Sequence, residues 1–136
     1  MTEKNFPADV SALDDVIAFA EEELEQAECP LRAVMPLTVA LEEMFVNVAH
    51  YAYPNGGGSV QLAIGYDPAA HTITFRLTDS GIPFNPLTHQ DPDLTLPAEQ
   101  RPIGGLGIYM MKKTMDRVSY LYQDGKNVLT MQKQLS

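Results

Sequence analysis

The stretch LEEMFVNVAHYAYP, residues 41–54, reads as the end of an amphipathic helix that carries two polar groups on a face of their own. Leu41, Met44, Phe45, Val48 and Ala52 recur at helical spacing and form a core stripe. Glu43 and Asn47 stand four residues apart, which sets a carboxylate and an amide one turn apart on one side of the helix. That side is rotated by about a third of a turn from the stripe. Pro54-Asn55-Gly56-Gly57-Gly58 ends the helix, and Pro36 upstream either opens it or kinks it.

Working outward toward the N-terminus, Ser11 followed by Asp14 predicts a helix start leading into ALDDVIAFAEEELEQA. Leu13, Val16, Ile17, Ala20 and Leu24 fall on one face of that helix, and Cys29-Pro30 breaks the pattern. Toward the C-terminus, SVQLAIGY and TITFRLTD alternate as strands, with Asp67-Pro68 beginning the turn between them. The segment from Ile82 to Ile103 holds Pro83, Pro86, Pro92, Pro97 and Pro102 and shows little periodicity. A loop of about twenty residues in a compact domain is uncommon and tends to be functional or mobile. A third helix follows Gly104-Gly105, with Ile108, Met111 and Met115 at core spacing. The chain closes with two runs, VSYLYQ and KNVLTMQKQL, joined at Asp124-Gly125 as a hairpin. The order is α-α-β-β-loop-α-β-β. Strands that occur as hairpins predict an antiparallel or mixed sheet with helices on one face, an α+β sandwich.

A chain of 136 residues with 45% hydrophobic content is read as one domain, residues 1–136, able to bury a core without disulfides. Its net charge of −9, with only nine Lys and Arg spread along the sequence, argues against a nucleic-acid-binding surface. Cys29 is the single cysteine, so no intrachain disulfide forms and a reducing compartment, the cytoplasm, is expected. The N-terminus has no apolar signal region, and no stretch reaches the roughly 18 apolar residues of a membrane span. His50, His71 and His89 lie apart without ligand spacing.

Three constellations carry chemistry. The first is Glu43 with Asn47. An Asn carbonyl is a hard oxygen ligand that suits Mg²⁺ without adding charge beside a triphosphate, and a carboxylate one turn away could take a proton from a hydroxyl or water. Taken alone, this pattern is more often an exposed Glu beside a hydrogen-bonded Asn. The second is Thr78-Asp79-Ser80-Gly81-Ile82-Pro83 at a strand end. Its Asp can accept from an exocyclic amine such as that of adenine, and Gly81 would let a flat base approach the backbone. A plain Asp-Ser-Gly turn is the commoner meaning of that run by itself. The third is Gly104-Gly105-Leu106-Gly107-Ile108 opening a helix, where exposed backbone N–H groups and the helix N-terminus favour phosphate. It matches neither a P-loop nor a dinucleotide fingerprint.

The order and spacing of the three together resemble the GHKL (Bergerat-fold) ATPase and kinase superfamily, and most of all its anti-sigma-factor serine/threonine kinases. LEEMFVNVAHYAYP is similar to the N-box, DSGIPFNP to the G1 box and PIGGLGIYMMKK to the G2 box of that group. The resemblance implies a two-layer α/β sandwich with a mixed, mostly antiparallel sheet and a mobile ATP lid at about residues 87–103. It implies ATP and Mg²⁺ as cofactors, with Asn47 holding the metal and Glu43 acting as general base. Asp79 would bind the adenine amine, Gly81 would line the base pocket, and Gly105, Leu106 and Gly107 would cradle the phosphates. The implied activity is phosphorylation of an anti-sigma-factor antagonist, with a sigma factor as second partner and a homodimer as the assembly. A non-catalytic ATP-binding module that sequesters a protein partner is the alternative. Two features depart from the family pattern. Gly125-Lys126-Asn127 stands where many members have a Gly-Thr pair that helps hold adenine, and Arg101 is the lid's one strong cation.

Overall fold

The computed structural model describes residues 1–88 and 106–135. Strand β1 (Thr2–Pro7) leads through a short 3-10 turn, Val10–Ala12, into helix α1 (Leu13–Gln26) and helix α2 (Leu31–Tyr51). Strands β2 (Ser59–Asp67) and β3 (Thr72–Asp79) follow, then helix α3 (Leu106–Thr114), β4 (Arg117–Gln123) and β5 (Lys126–Gln134). The strands form one sheet in the order β1-β2-β3-β5-β4, and every pairing is antiparallel. The α+β sandwich expected from the hairpins is therefore present, with an antiparallel sheet among the described residues.

Alternation explains why the sheet has one dry side. Val60, Leu62 and Ile64 of β2, Ile73, Phe75 and Leu77 of β3, and Leu129 and Met131 of β5 are all buried. Their neighbours Gln61, Thr74, Arg76, Thr130 and Gln132 are exposed or half-buried. Successive side chains of a strand point to opposite faces, so one face meets the helices and the other meets water. Val16, Ala20 and Leu24 of α1 and Leu37, Leu41, Met44 and Phe45 of α2 complete the core, with Ile108 and Met111 of α3. Each fully buried large apolar side chain contributes about 1.5–3 kcal/mol, so this shared core is what holds the helices to the sheet.

Several local expectations change. Thr2–Pro7 is a strand: it pairs along β2 from Thr2↔Ile64 to Pro7↔Ser59 and buries Phe6 against Phe19 at a centroid distance of 6.1 Å. The first helix is entered by the 3-10 turn, whose cap is Asp9, not Ser11: Asp9 Oδ1 accepts from the Ser11 N–H at 2.9 Å. That bond also holds the Asp9 carboxyl below its ordinary range. Pro36 lies inside α2, five residues after its first residue; it denies the Arg32 carbonyl its usual donor, and the helix continues through. The break at Cys29-Pro30 stands, with Pro30 capping α2. At the β4–β5 turn Asp124 and Gly125 both have positive φ, 55° and 77°, as a two-residue hairpin of mirror-image type requires. No helix among the described residues is long and apolar enough to cross a membrane.

Candidate functional site

Helix α2 runs over the sheet so that its last turns face the end of β3 and the start of β5. Three hydrogen bonds fix that approach. The Ile82 N–H donates to the Ala52 carbonyl at 2.8 Å, and the Ser80 N–H donates to the Tyr53 hydroxyl at 2.8 Å. That hydroxyl in turn donates to the Ser59 carbonyl at 2.6 Å. Tyr53 thus ties the loop after β3 to the start of β2, a packing role. Gly81 sits where α2 ends: a Cβ there would collide with the Ala52 carbonyl oxygen and lie 2.6 Å from its carbon. The side of Gly81 that lacks a Cβ is turned to the end of α2.

Between α2 and the β3–β5 end of the sheet lies a pocket. Met44, Leu77 and Leu129 give it apolar walls, and Asn47, Asp79 and Asn127 are among its polar groups. The structure therefore brings Asn47 of the first motif and Asp79 of the second to one cavity. Asp79 and Asn127 are 6% and 5% exposed, and they are the buried polar side chains of the described residues. Burial of such groups is costly unless hydrogen bonds compensate, and here they do. Asp79 Oδ1 accepts from the Gly81 N–H and from Asn127 Nδ2, each at 2.9 Å. Asn127 Nδ2 also donates to the Ile82 carbonyl at 2.8 Å, while its Oδ1 accepts from the Phe84 N–H at 3.1 Å and from the Tyr120 hydroxyl. Burial pushes the Tyr120 phenol up, with the nearby Asp79 charge adding to it, so its hydroxyl stays a donor at neutral pH.

Glu43 stands one turn before Asn47 on α2, half-buried, at the first turn of α3. A Cβ on Gly107 would overlap its Oε2 and lie 2.9 Å from its Cδ. The absent side chain lets the two helices close up and places the carboxylate beside the open N–H groups of α3. Leu106 and Gly107 open that helix; Gly105 and all but the first residues of the expected lid lie outside the described residues. Leu87 and Thr88 belong to a 3-10 turn, Pro86–Thr88, and Pro86 closes one side of the pocket.

Asn127, Tyr120 and Phe84 were not singled out as site residues by sequence. A signal for Asn127 was there: it falls in phase with Leu129 and Met131, a polar residue at a core position of β5. Its partners Phe84, Ile82 and Asp79, 43 to 48 residues distant along the chain, were not legible.

A one-sided antiparallel sheet, three helices across it and a pocket under α2 make a two-layer α+β sandwich domain. The profile of the histidine kinase-like ATPase domain family matches residues 6–133, and the chain belongs to that family. Among its relatives is the serine-protein kinase RsbW of Bacillus mycoides (strain KBAB4), 26% identical over 98 residues that cover 68% of this chain and 59% of the relative. RsbW of Bacillus cereus (strain AH820) aligns over the same span at 26% identity. The chain thus spans about 59% of the length of these curated relatives. A crystal structure of the RsbU and RsbW domains of Rv1364c from Mycobacterium tuberculosis superposes with a TM-score of 0.63 over 99% of this chain and 33% of that one. At 14% identity the likeness is one of fold.

Proposed function

We propose that this chain binds ATP with Mg²⁺ in the pocket under α2 and acts as a serine/threonine kinase of the anti-sigma-factor type. The observation that carries the reading is the meeting of Asn47 and Asp79 in one cavity, with Glu43 one turn earlier on α2 against Gly107. The residues present fit a nucleotide. Apolar walls suit a purine, and the Asp79 carboxylate suits an exocyclic amine. Asn47 offers a neutral oxygen to Mg²⁺, and the start of α3 at Leu106 and Gly107 offers backbone N–H donors to phosphates, a role that Gly105 would share. Gly81 serves the base by letting the Asp79 loop sit tight on α2. Bound ATP supplies the γ-phosphoryl group. Glu43 takes the proton of the acceptor hydroxyl, a Ser or Thr of an anti-sigma-factor antagonist, and the phosphorylation state of that antagonist governs a sigma factor. The kinase works as a homodimer in the cytoplasm through protein partners. The names of the RsbW relatives support the kinase reading, and the net charge of −9 supports protein over nucleic-acid partners.

Incubation with γ-labelled ATP and a candidate antagonist domain tests this directly. Label is expected on the partner with the wild-type protein, and Glu43→Ala is expected to lower the transfer rate by about 10²–10⁴-fold, the usual contribution of a positioned base. Tight ATP binding with no transfer to any such partner would contradict the kinase and leave a non-catalytic ATP-binding module that holds its partner.

A further inference from the structure

We propose that Asn127 is the positioning residue for base recognition: it locks Asp79 and the Ile82–Phe84 segment into one unit and thereby makes the pocket select a 6-amino purine. The inference rests on the reading of the pocket as a purine-nucleotide site. Asp79 and Asn127 are direct cross-strand partners in the β3–β5 register, and both point into the core phase of their strands. A slip of one residue would turn Asn127 to the wet face, so the register itself delivers the amide to the carboxylate.

The orientation of that amide is settled by its surroundings. Oδ1 meets two donors, the Phe84 N–H and the Tyr120 hydroxyl, and Nδ2 meets two acceptors, Asp79 Oδ1 and the Ile82 carbonyl. Flipping it would oppose carbonyl to carboxylate and N–H to N–H. Two consequences follow. First, Asn127 directs its donor at Asp79, so the carboxylate reads the base and the amide does not. Asp79 Oδ1 already takes two donors, from Gly81 and Asn127, which holds the carboxylate plane still. Among the described residues none donates to Oδ2, the oxygen left to accept from a ligand. Second, a carboxylate held in this way accepts a 6-amino group and repels a 6-oxo group. The choice between them is sharp only while the carboxylate cannot turn or fill with water. Asn127 supplies that restraint across the sheet, and the same side chain anchors the chain at Ile82 and Phe84, where the segment toward α3 begins.

The test is the ratio of affinities for Mg·ATP and Mg·ITP, measured by calorimetry on the full chain, wild-type, Asn127→Ala and Asn127→Ser. ITP keeps the sugar and phosphates and replaces the amine by an oxo group. Wild-type protein is expected to favour ATP by about tenfold or more, the size of a hydrogen bond to a charged group. Both variants are expected to lose most of that preference, about fivefold or more in the ratio, through weaker ATP binding. Their ITP affinity should stay within about threefold of wild type, a pattern that a merely structural role would not give. Asn127→Ser fills more of the space than Ala and guards against a variant that fails to fold. Variants that bind ITP as the wild type does and keep the full preference would overturn the inference alone. A wild-type protein that binds both nucleotides equally would overturn it together with the role of Asp79, and one that binds neither would overturn the nucleotide reading itself.

Discussion

Gly81 and Gly107 both lie where a methyl group has no room, yet against different neighbours, and the difference separates stability from chemistry. At Gly81 the obstacle is the backbone of Ala52, which is tied down by its own bond from Ile82. Gly81→Ala should therefore cost about 1–3 kcal/mol or more of stability, read as a lower urea midpoint. At Gly107 the obstacle is the carboxylate end of Glu43, a side chain that can swing aside. Gly107→Ala should leave the midpoint closer to wild type while displacing Glu43, so phosphoryl transfer falls more than stability does. The reverse ranking of the two variants in stability would contradict these contacts. Sequence could mark both glycines as special but could not say why. At Gly81 the close neighbour is the end of α2, which is distant in sequence.

At the scale of elements, periodicity made α1, α2 and the β2–β3 hairpin legible, because each buries one face at a regular spacing, while Asp124-Gly125 marked the β4–β5 hairpin. Strand β1 escaped it. Of Thr2–Pro7 only Phe6 is buried, so an edge strand that pairs by backbone leaves no alternation to read. Polar ties were equally hidden. Asp116, between α3 and β4, accepts from the Gln134 N–H at 2.7 Å and from Lys133 Nζ at 3.3 Å, stitching the start of β4 to the end of β5. The Gln134 bond first, and Lys133 after it, hold its carboxyl below the ordinary range. A depressed folded value means that the contribution is complete above the unfolded Asp value, about 3.9, and is lost as pH falls through the folded one. Asp116→Asn should thus be less stable than wild type at neutral pH, by a small margin since the pair is solvent-exposed. That gap should narrow in urea titrations below about pH 4. A gap unchanged down to strongly acid pH would show that charge on Asp116 does nothing for the fold.

For the whole molecule, the site exists only because several elements converge: α2 brings Asn47 and Glu43, β3 brings Asp79, β5 brings Asn127 and α3 brings Gly107. Sequence showed the order of the motifs, and the resemblance supplied their roles. What it could not show was that the core phase of β5 carries a polar residue matched to Asp79 across the ladder. That match explains how two buried polar groups are tolerated in an otherwise apolar floor. It also turns the departure at Asn127 from a missing feature into a contact. The proposed Mg²⁺-dependent ATP site built around Asn47 is tested by ATP binding measured with and without Mg²⁺ on wild-type protein and on Asn47→Ala. Wild-type binding should strengthen markedly on adding Mg²⁺, and Asn47→Ala should abolish that gain while keeping the fold. ATP binding that is absent, or that is indifferent both to Mg²⁺ and to the substitution, would contradict it.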